Sequence, residues 1–278
     1  MRREGGYTLV EAGLAIGVSS LLILLTLGLS SMVSRRRFQD TLSTGQAFLQ
    51  TQYNEVRSGI NSRLGGAGSN LFGCGSSAAG NSASCYMVGR LLSFSNSGGN
   101  GIIKSSYIIA KVSGNWPDTE KTGMENVRAT TLYAVTNDSS DAGLDPSTKV
   151  LGGNQFKNAW SVIGSSASSR SVESTNMALI RSPLDGSLMI ASNVQIISDS
   201  GSGQVRIVLR DNATSSTNMS PDDKIALGVE NGGLGQQGGL ICMAGGENAA
   251  GISNNNNVNL GDLAAHAGNV SSACSNWE

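Results

Sequence analysis

From residue 7 to residue 33 the chain reads YTLVEAGLAIGVSSLLILLTLGLSSMV, apolar on every face and carrying one charge, Glu11. As an α-helix this stretch would span roughly 40 Å, more than the ~30 Å hydrocarbon core of a bilayer. The pattern then changes rather than stops. Phe38, Leu42, Gly45, Leu49, Tyr53, Val56, Ile60 and Leu64 recur at three- and four-residue steps, one face of a helix. Polar residues, among them Arg37, Asp40, Gln46, Glu55 and Arg63, occupy the faces between. The spacing predicts one helix from Tyr7 to about Leu64, ended by Gly65-Gly66-Ala67-Gly68. Within it Gly28 weakens the helix locally, by about 1 kcal/mol relative to alanine.

After the helix the pattern becomes strand-like at 86–95, 102–112, 127–136, 177–181, 188–197, 205–210 and 225–229, with a last apolar run at 240–243. Val205, Ile207 and Leu209 alternate cleanly onto one face. The stretch 137–174 reads as a loop holding a short apolar run at 159–163. Everything after Gly245 is rich in Asn, Ala, Gly and Ser and reads as loop as well. No internal repeat and no proline-rich linker divides this part, which predicts a single strand-rich head over 65–278.

Composition supports that division. Charged residues make up 14% and aromatics 5%, with 37 glycines, which suits a loop-rich β protein and excludes a charged disordered tail. A net charge of −1 gives no global attraction to nucleic acid. Cys74, Cys85, Cys242 and Cys274 lack a C-x-x-C spacing, and the one histidine is His266, so disulfides are the better reading than zinc. Disulfides place the head in an oxidising compartment. Three pairings are open; 74–85 with 242–274 is favoured because each closes a short Gly/Asn/Ser-rich loop.

Glu11 needs its own explanation. A cleaved secretory signal has a shorter apolar region and no carboxylate, and an ionisable group inside a membrane segment costs a few kcal/mol unless partnered. The run Gly6-Tyr7-Thr8-Leu9-Val10-Glu11, behind the short basic leader Met1-Arg2-Arg3-Glu4-Gly5, resembles the class III signal of type IV prepilins. Tyr7 stands where phenylalanine is commoner in that family. The resemblance implies cleavage between Gly6 and Tyr7 by a prepilin peptidase, N-methylation of Tyr7, and a role for Glu11 in assembly. The carboxylate would be neutralised by the amine of a neighbouring subunit, which sets axial register because any other stagger strands both charges. The amphipathic half of the helix, leading to Leu71-Phe72-Gly73-Cys74, is similar to larger minor pilins of the PilW type. Arg35-Arg36-Arg37 oppose Arg2 and Arg3 in the positive-inside count, so charge alone leaves orientation open. The cysteines and the cleavage signal place the C-terminal part outside.

Other constellations carry less. Gly233-Leu-Gly235-Gln-Gln-Gly238 matches G-x-G-x-x-G, but a strand-like run follows where a nucleotide-binding helix is required. Asp138, Asp141 and Asp145, or Asp222 and Asp223, offer hard oxygen ligands to calcium, as a C-terminal loop does in secretion pseudopilins, without EF-hand spacing. No nucleophile elbow accompanies His266, and no catalytic residue is assigned. Trp116, Trp160 and Trp277 are scattered, and Asn212 and Asn269 head sequons.

The expected architecture is therefore α+β and pilin-like: a long N-terminal helix packed on an antiparallel sheet, with a disulfide-closed C-terminal loop region. Its segments are a leader (1–6), a transmembrane and filament-core helix (7–33), an amphipathic continuation (34–64) and the head (65–278). The expected function is non-enzymatic and needs no cofactor, with calcium the one candidate ligand. It is that of a structural subunit of a type IV pilus-like filament, a minor pilin rather than a major one chiefly on size. A pseudopilin of type II secretion, or a pilus-mounted adhesin or DNA receptor, are the alternatives. Partners are other pilin subunits, prepilin peptidase, the inner-membrane assembly machinery and the membrane before assembly; a DNA or surface ligand of the head stays open. The precursor would be single-pass in the cytoplasmic membrane, the mature chain in an extracellular filament.

Overall fold

The structure is a computed structural model, and it describes residues 8–59, 85–112, 116–135, 146–163, 166–171, 175–191, 194–197, 204–209, 224–231, 238–244 and 252–255. The chain divides into two compact units, 1–40 and 41–278. Helix α1, Leu9–Ser58, contributes to both.

The second unit is built on a hairpin. Strands β1 (Cys85–Ser97) and β2 (Asn100–Lys111) pair antiparallel along nearly their whole length. Between them Gly98 and Gly99 both have positive φ, 56° and 80°, as a two-residue type I′ turn demands. Helix α2 (Gly123–Arg128) and β3 (Thr131–Val135) follow, then β4 (Ser147–Leu151), β5 (Asn154–Ile163) and β6 (Ser166–Ser171). The chain continues through β7 (Asn176–Arg181), β8 (Leu188–Ala191), β9 (Val194–Ile197) and β10 (Gln204–Leu209). Strands β11 (Lys224–Asn231), β12 (Gly238–Ala244) and β13 (Ile252–Asn255) complete the described residues.

These strands form two antiparallel sheets. The first has the order β8-β7-β1-β2-β3-β10-β9, with β4 also on β2; the second has the order β13-β12-β11-β5-β6. The first sheet curls into a half-barrel, and β7 and β9 touch across its opening. Its lining is apolar: Val88, Leu91, Ile108, Ala110, Leu132, Ala134, Ala178, Ile180, Met189, Ala191, Val194 and Ile207 form one buried cluster, joined by Val127 of α2. The opposite face of β1 and β2 is buried too, by the end of α1. Leu42, Gly45, Leu49, Tyr53 and Val56, at three- and four-residue steps, are buried. Gly45 lies against Ile103 of β2, Leu151 of β4 and Ile241 of β12, so residues 41–58 sit where the two sheets meet. With both faces covered, β1 is an almost continuous buried run from Cys85 to Leu92.

This arrangement corrects the pilin-like expectation of a long helix packed on an antiparallel sheet. The fold is mostly β-sheet, a curled half-barrel beside a second sheet. Only about five turns of helix, residues 41–58, belong to the strand-bearing unit. The extra strands come from segments read as loop. Within 137–174 lie β4, β5 and β6, with sequences STKVL, NQFKNAWSVI and SASSRS. Their small polar residues lower β-propensity, but each strand gains a full ladder with a neighbour, and ladder pairing outweighs a scale spanning only ~1 kcal/mol. The stretch after Gly245 likewise supplies β13, paired with β12. The expected strand 127–136 is α2 followed by β3, and 188–197 is two strands, β8 and β9.

Helix α2 exists because its first turn is locked. Thr122 and Glu125 form a reciprocal capping box, and the buried Asn126 amide donates to the carbonyls of Asp118, Lys121 and Thr122. Gly123 N donates to Asp185 Oδ2 in the β7–β8 loop, and a Cβ at Gly123 would collide with Asp185 and Ser182. The two sheets are joined by a side chain acting as a strand. Asn96 donates through Nδ2 to the Phe156 carbonyl (2.8 Å) and accepts from Phe156 N–H at Oδ1 (2.9 Å), while the Phe94 and Phe156 rings meet edge to face.

Asn96→Ala removes both bonds and leaves the Phe156 backbone groups part-buried and unpaired; it should destabilise the protein by about 1–3 kcal/mol in urea denaturation. Burial pushes the Asp185 carboxyl up, but hydrogen bonds from Ser187, Ser182 and Gly123 outweigh it and hold the group below its ordinary value. A depressed pKa stabilises the fold above the unfolded-chain value near ~3.9, and that contribution is lost as pH falls through the folded value. Asp185→Asn should therefore lower Tm at pH 7, and the gap to the wild type should close as thermal scans move below about pH 4.

Candidate functional site

The candidate site is the N-terminal part of α1, described here by itself. Thr8 caps it. Its backbone N–H and hydroxyl both donate to Glu11 Oε2 (2.9 and 3.1 Å), and Glu11 N–H donates back to Thr8 Oγ1 (3.3 Å). Glu11 is thus the third helical residue of a capping box, where a carboxylate also complements the positive end of the helix dipole. Both bonds use Oε2, so Thr8 does not engage Oε1. The spacing Thr8-x-x-Glu11 signals this cap in the sequence, and the sequence reading of Glu11 passed over it.

Beyond the cap the helix presents large apolar side chains to the outside on all faces. Leu9, Val10, Leu14, Ile16, Val18, Leu21, Leu22, Ile23, Leu24 and Leu25 are each more than half exposed. A helix apolar all round requires an apolar medium or other helices about it. Covering ten such side chains, at about 1.5–3 kcal/mol each, is worth on the order of 15–30 kcal/mol, far above the few kcal/mol that one intramembrane carboxylate costs. The polar atoms on this stretch are already occupied. Ser19 Oγ donates to the Ala15 carbonyl (2.7 Å) and Ser20 Oγ to that of Ile16 (2.8 Å), so neither hydroxyl opposes burial. Gly13 and Gly17 are spaced as G-x-x-x-G with open space where each Cβ would lie, which permits close approach of a second helix. That spacing, too, stands in the sequence.

Among the described residues no helix is long and apolar enough to cross a membrane. The exposed apolar side chains from Leu9 to Leu25 fall short of the ~20 residues a span needs, while the sequence itself stays apolar to Val33.

The remaining expected residues are distributed as follows. Gly6, Tyr7, Cys74 and Cys274 lie outside the described residues, as do His266, Trp277 and the candidate calcium ligands Asp138, Asp141, Asp145, Asp222 and Asp223. Cys85 opens β1, is buried and is disulfide-bonded. Cys242 lies in β12, opposite Ala226 and Ser253. Gly238 begins β12, a strand rather than the helix a dinucleotide fingerprint needs. The Trp116 ring packs on Tyr86 at 4.8 Å between centroids. No cluster of three His, Cys, Asp or Glu is placed to hold a metal ion among the described residues.

No family model matches the chain, and no curated protein and no solved structure is similar to it.

Proposed function

We propose that this chain is a structural subunit of a type IV pilus-like extracellular filament, cleaved after Gly6, N-methylated on Tyr7 and assembled through the N-terminal part of α1. The observation that carries the reading is the exposed apolar stretch from Leu9 to Leu25, interrupted by one carboxylate, Glu11, in the first turn. The reading rests on this segment and its leader, independently of how the strand-bearing unit is folded. A monomer with ten bare apolar side chains needs cover, and lipid before assembly and neighbouring helices afterwards supply it in turn.

Cleavage at Gly6 creates an amine on Tyr7, next to the cap residue Thr8. Glu11 Oε1, which Thr8 leaves unengaged, is the acceptor for a cation of this kind from a neighbouring subunit. The disulfide at Cys85 favours an extracytoplasmic position for the second unit, with the precursor held single-pass in the cytoplasmic membrane. The size of the head favours a minor subunit over a major one.

Mass spectrometry of filaments sheared from cells should find an N-terminal peptide beginning at methylated Tyr7, in trace amount relative to the main subunit. Mature protein retaining Met1 would overturn the reading. Glu11→Ala should leave cleavage intact but cut the amount recovered in sheared filaments to about a tenth or less, since the neighbour's amine is then left unpaired in an apolar core at a cost of several kcal/mol. Undiminished incorporation would refute the role given to Glu11.

A further inference from the structure

At its C-terminal end the apolar stretch of α1 gives way abruptly to charge. Beyond Val33 and Ser34 the helix carries Arg35, Arg36 and Arg37 in succession, and Arg36 and Arg37 are exposed. Asp40 is the only acidic residue between Glu11 and Glu55. It stands four residues from Arg36 and three from Arg37, the helical spacing for an ion pair, but one carboxylate cannot neutralise three guanidinium groups. Residues 35–40 therefore keep an excess of positive charge.

Direction and distance together identify what these cations face. Successive residues of a helix point about 100° apart, so three in a row fan over roughly 200° of its circumference. A partner helix or a protein patch lies to one side and meets one or two of them. A medium that surrounds the helix meets all three. From the cap residue Thr8 to Arg36 the helix measures about 42 Å at 1.5 Å per residue, and a bilayer with its headgroup layers is about 40–45 Å thick. With Thr8 and the adjoining Tyr7 amine in one headgroup layer, the arginines fall in the other, and the exposed apolar side chains from Leu9 to Val33 lie between. Glu11, about 4.5 Å further along than Thr8, stays near the first layer rather than in the middle of the hydrocarbon.

The chemistry at the second layer is complementary. Arginine lays its aliphatic stem along apolar surface while its head reaches outward, and its planar fork matches the oxygens of a phosphate. Sinking deeper would draw guanidinium groups into hydrocarbon, and rising would break the phosphate contacts and bare the apolar side chains, so both displacements are opposed.

We propose that Arg35, Arg36 and Arg37 form a binding site for the phosphates of anionic phospholipid, which fixes the depth of the unassembled helix in the bilayer. The inference rests on the membrane-held precursor of the function proposed above. The test is electron spin resonance of the full chain reconstituted in phosphatidylcholine vesicles, with spin-labelled phosphatidylglycerol or phosphatidylcholine as the probe. Phosphatidylglycerol should be enriched around the wild-type helix. The triple variant Arg35→Gln, Arg36→Gln, Arg37→Gln should lower that enrichment about 3- to 10-fold, Arg2 and Arg3 being common to both chains. Circular dichroism should match, because glutamine is nearly as good a helix former as arginine. Alkaline extraction checks the membrane helix separately. Release of the wild type into solution would overturn the proposed function and this site with it. Retention in the membrane with no preference for phosphatidylglycerol, or with a preference that the triple variant keeps, would overturn this site alone. Displacement of the labelled lipid by inorganic phosphate, against chloride at equal ionic strength, would make the ligand free phosphate and likewise overturn the lipid assignment. So would a triple variant that keeps its lipid preference but is lost from sheared filaments, which would give the arginines to a neighbouring subunit.

Discussion

The strand-bearing unit depends on one buried charge. Arg90 sits in the middle of β1 at 4% exposure, and a guanidinium taken out of water must find an opposite charge. Glu55, on the last turns of α1, provides it at 2.7 Å, and the ring of Tyr107, Arg90's partner across the β1–β2 ladder, lies 3.4 Å from the guanidinium carbon. Nε and Nη1 of Arg90 have no hydrogen-bond partner, so the group is only half satisfied and Glu55 is correspondingly hard to replace. One turn away on the helix, Gln52 accepts from the buried Ser105 hydroxyl of β2 at 2.6 Å. Two polar ties from one helical face to adjacent strands admit a single axial position. A slip of one turn, about 5.4 Å, would strand a charge and an amide together. Apolar packing of Leu42, Leu49 and Val56 supplies affinity between these elements, and the polar ties supply register.

The position so fixed passes outward through the hairpin. Because β1 carries β7 on its far edge, and β2 carries both β3 and β4, every strand of the half-barrel is referred to these two. The far tip of the hairpin does a second job. Asn96 supplies the donor and acceptor that a strand would have offered Phe156, and Asn100 Oδ1 accepts from Gly153 N–H in the turn between β4 and β5. That turn is where the chain leaves the first sheet for the second. Two side-chain amides thus carry out the crossover, without a shared ladder between β4 and β5 among the described residues.

What was legible in the sequence follows from how strongly burial constrains local pattern. Leu42, Gly45, Leu49, Tyr53 and Val56 repeat with the helical period because a helix with one covered face has no other choice. Strands β1, β2, β7 and β10 announce themselves through Ile, Val and Leu that line the half-barrel. The strands β4, β6 and β13 do not: β4 takes the edge of β2, which is remote in sequence, while SASSRS and ISNN fold back on β5 and β12 with no alternating apolar residues to mark them as strand. Curling is equally non-local: it needs Val194 and Met189 to meet Val127 across the opening, which no window of residues records. The N-terminal part of α1 was legible as an apolar run with one carboxylate. Its cap was equally present as Thr8-x-x-Glu11, but a capping box matters only once the helix is known to start there.

Glu11 and Glu55 lie on one helix and answer opposite problems. Glu55 compensates a charge that the fold has already buried, so its partner is internal and its environment is set by folding. Glu11 is exposed, caps its own helix with one oxygen, and stands among apolar side chains that have no internal cover. Burial of that stretch would desolvate the carboxylate as well. The cap with Thr8 offsets part of that cost, and it leaves the second carboxylate oxygen, Oε1, unengaged by Thr8. In the filament proposed above, apolar surface would favour association in any register, worth far more than a single charge pair, while the lone carboxylate would penalise every register that leaves it unmatched. The division would then be the same as at Arg90, where non-directional burial provides the strength and one charge that must be matched selects the geometry.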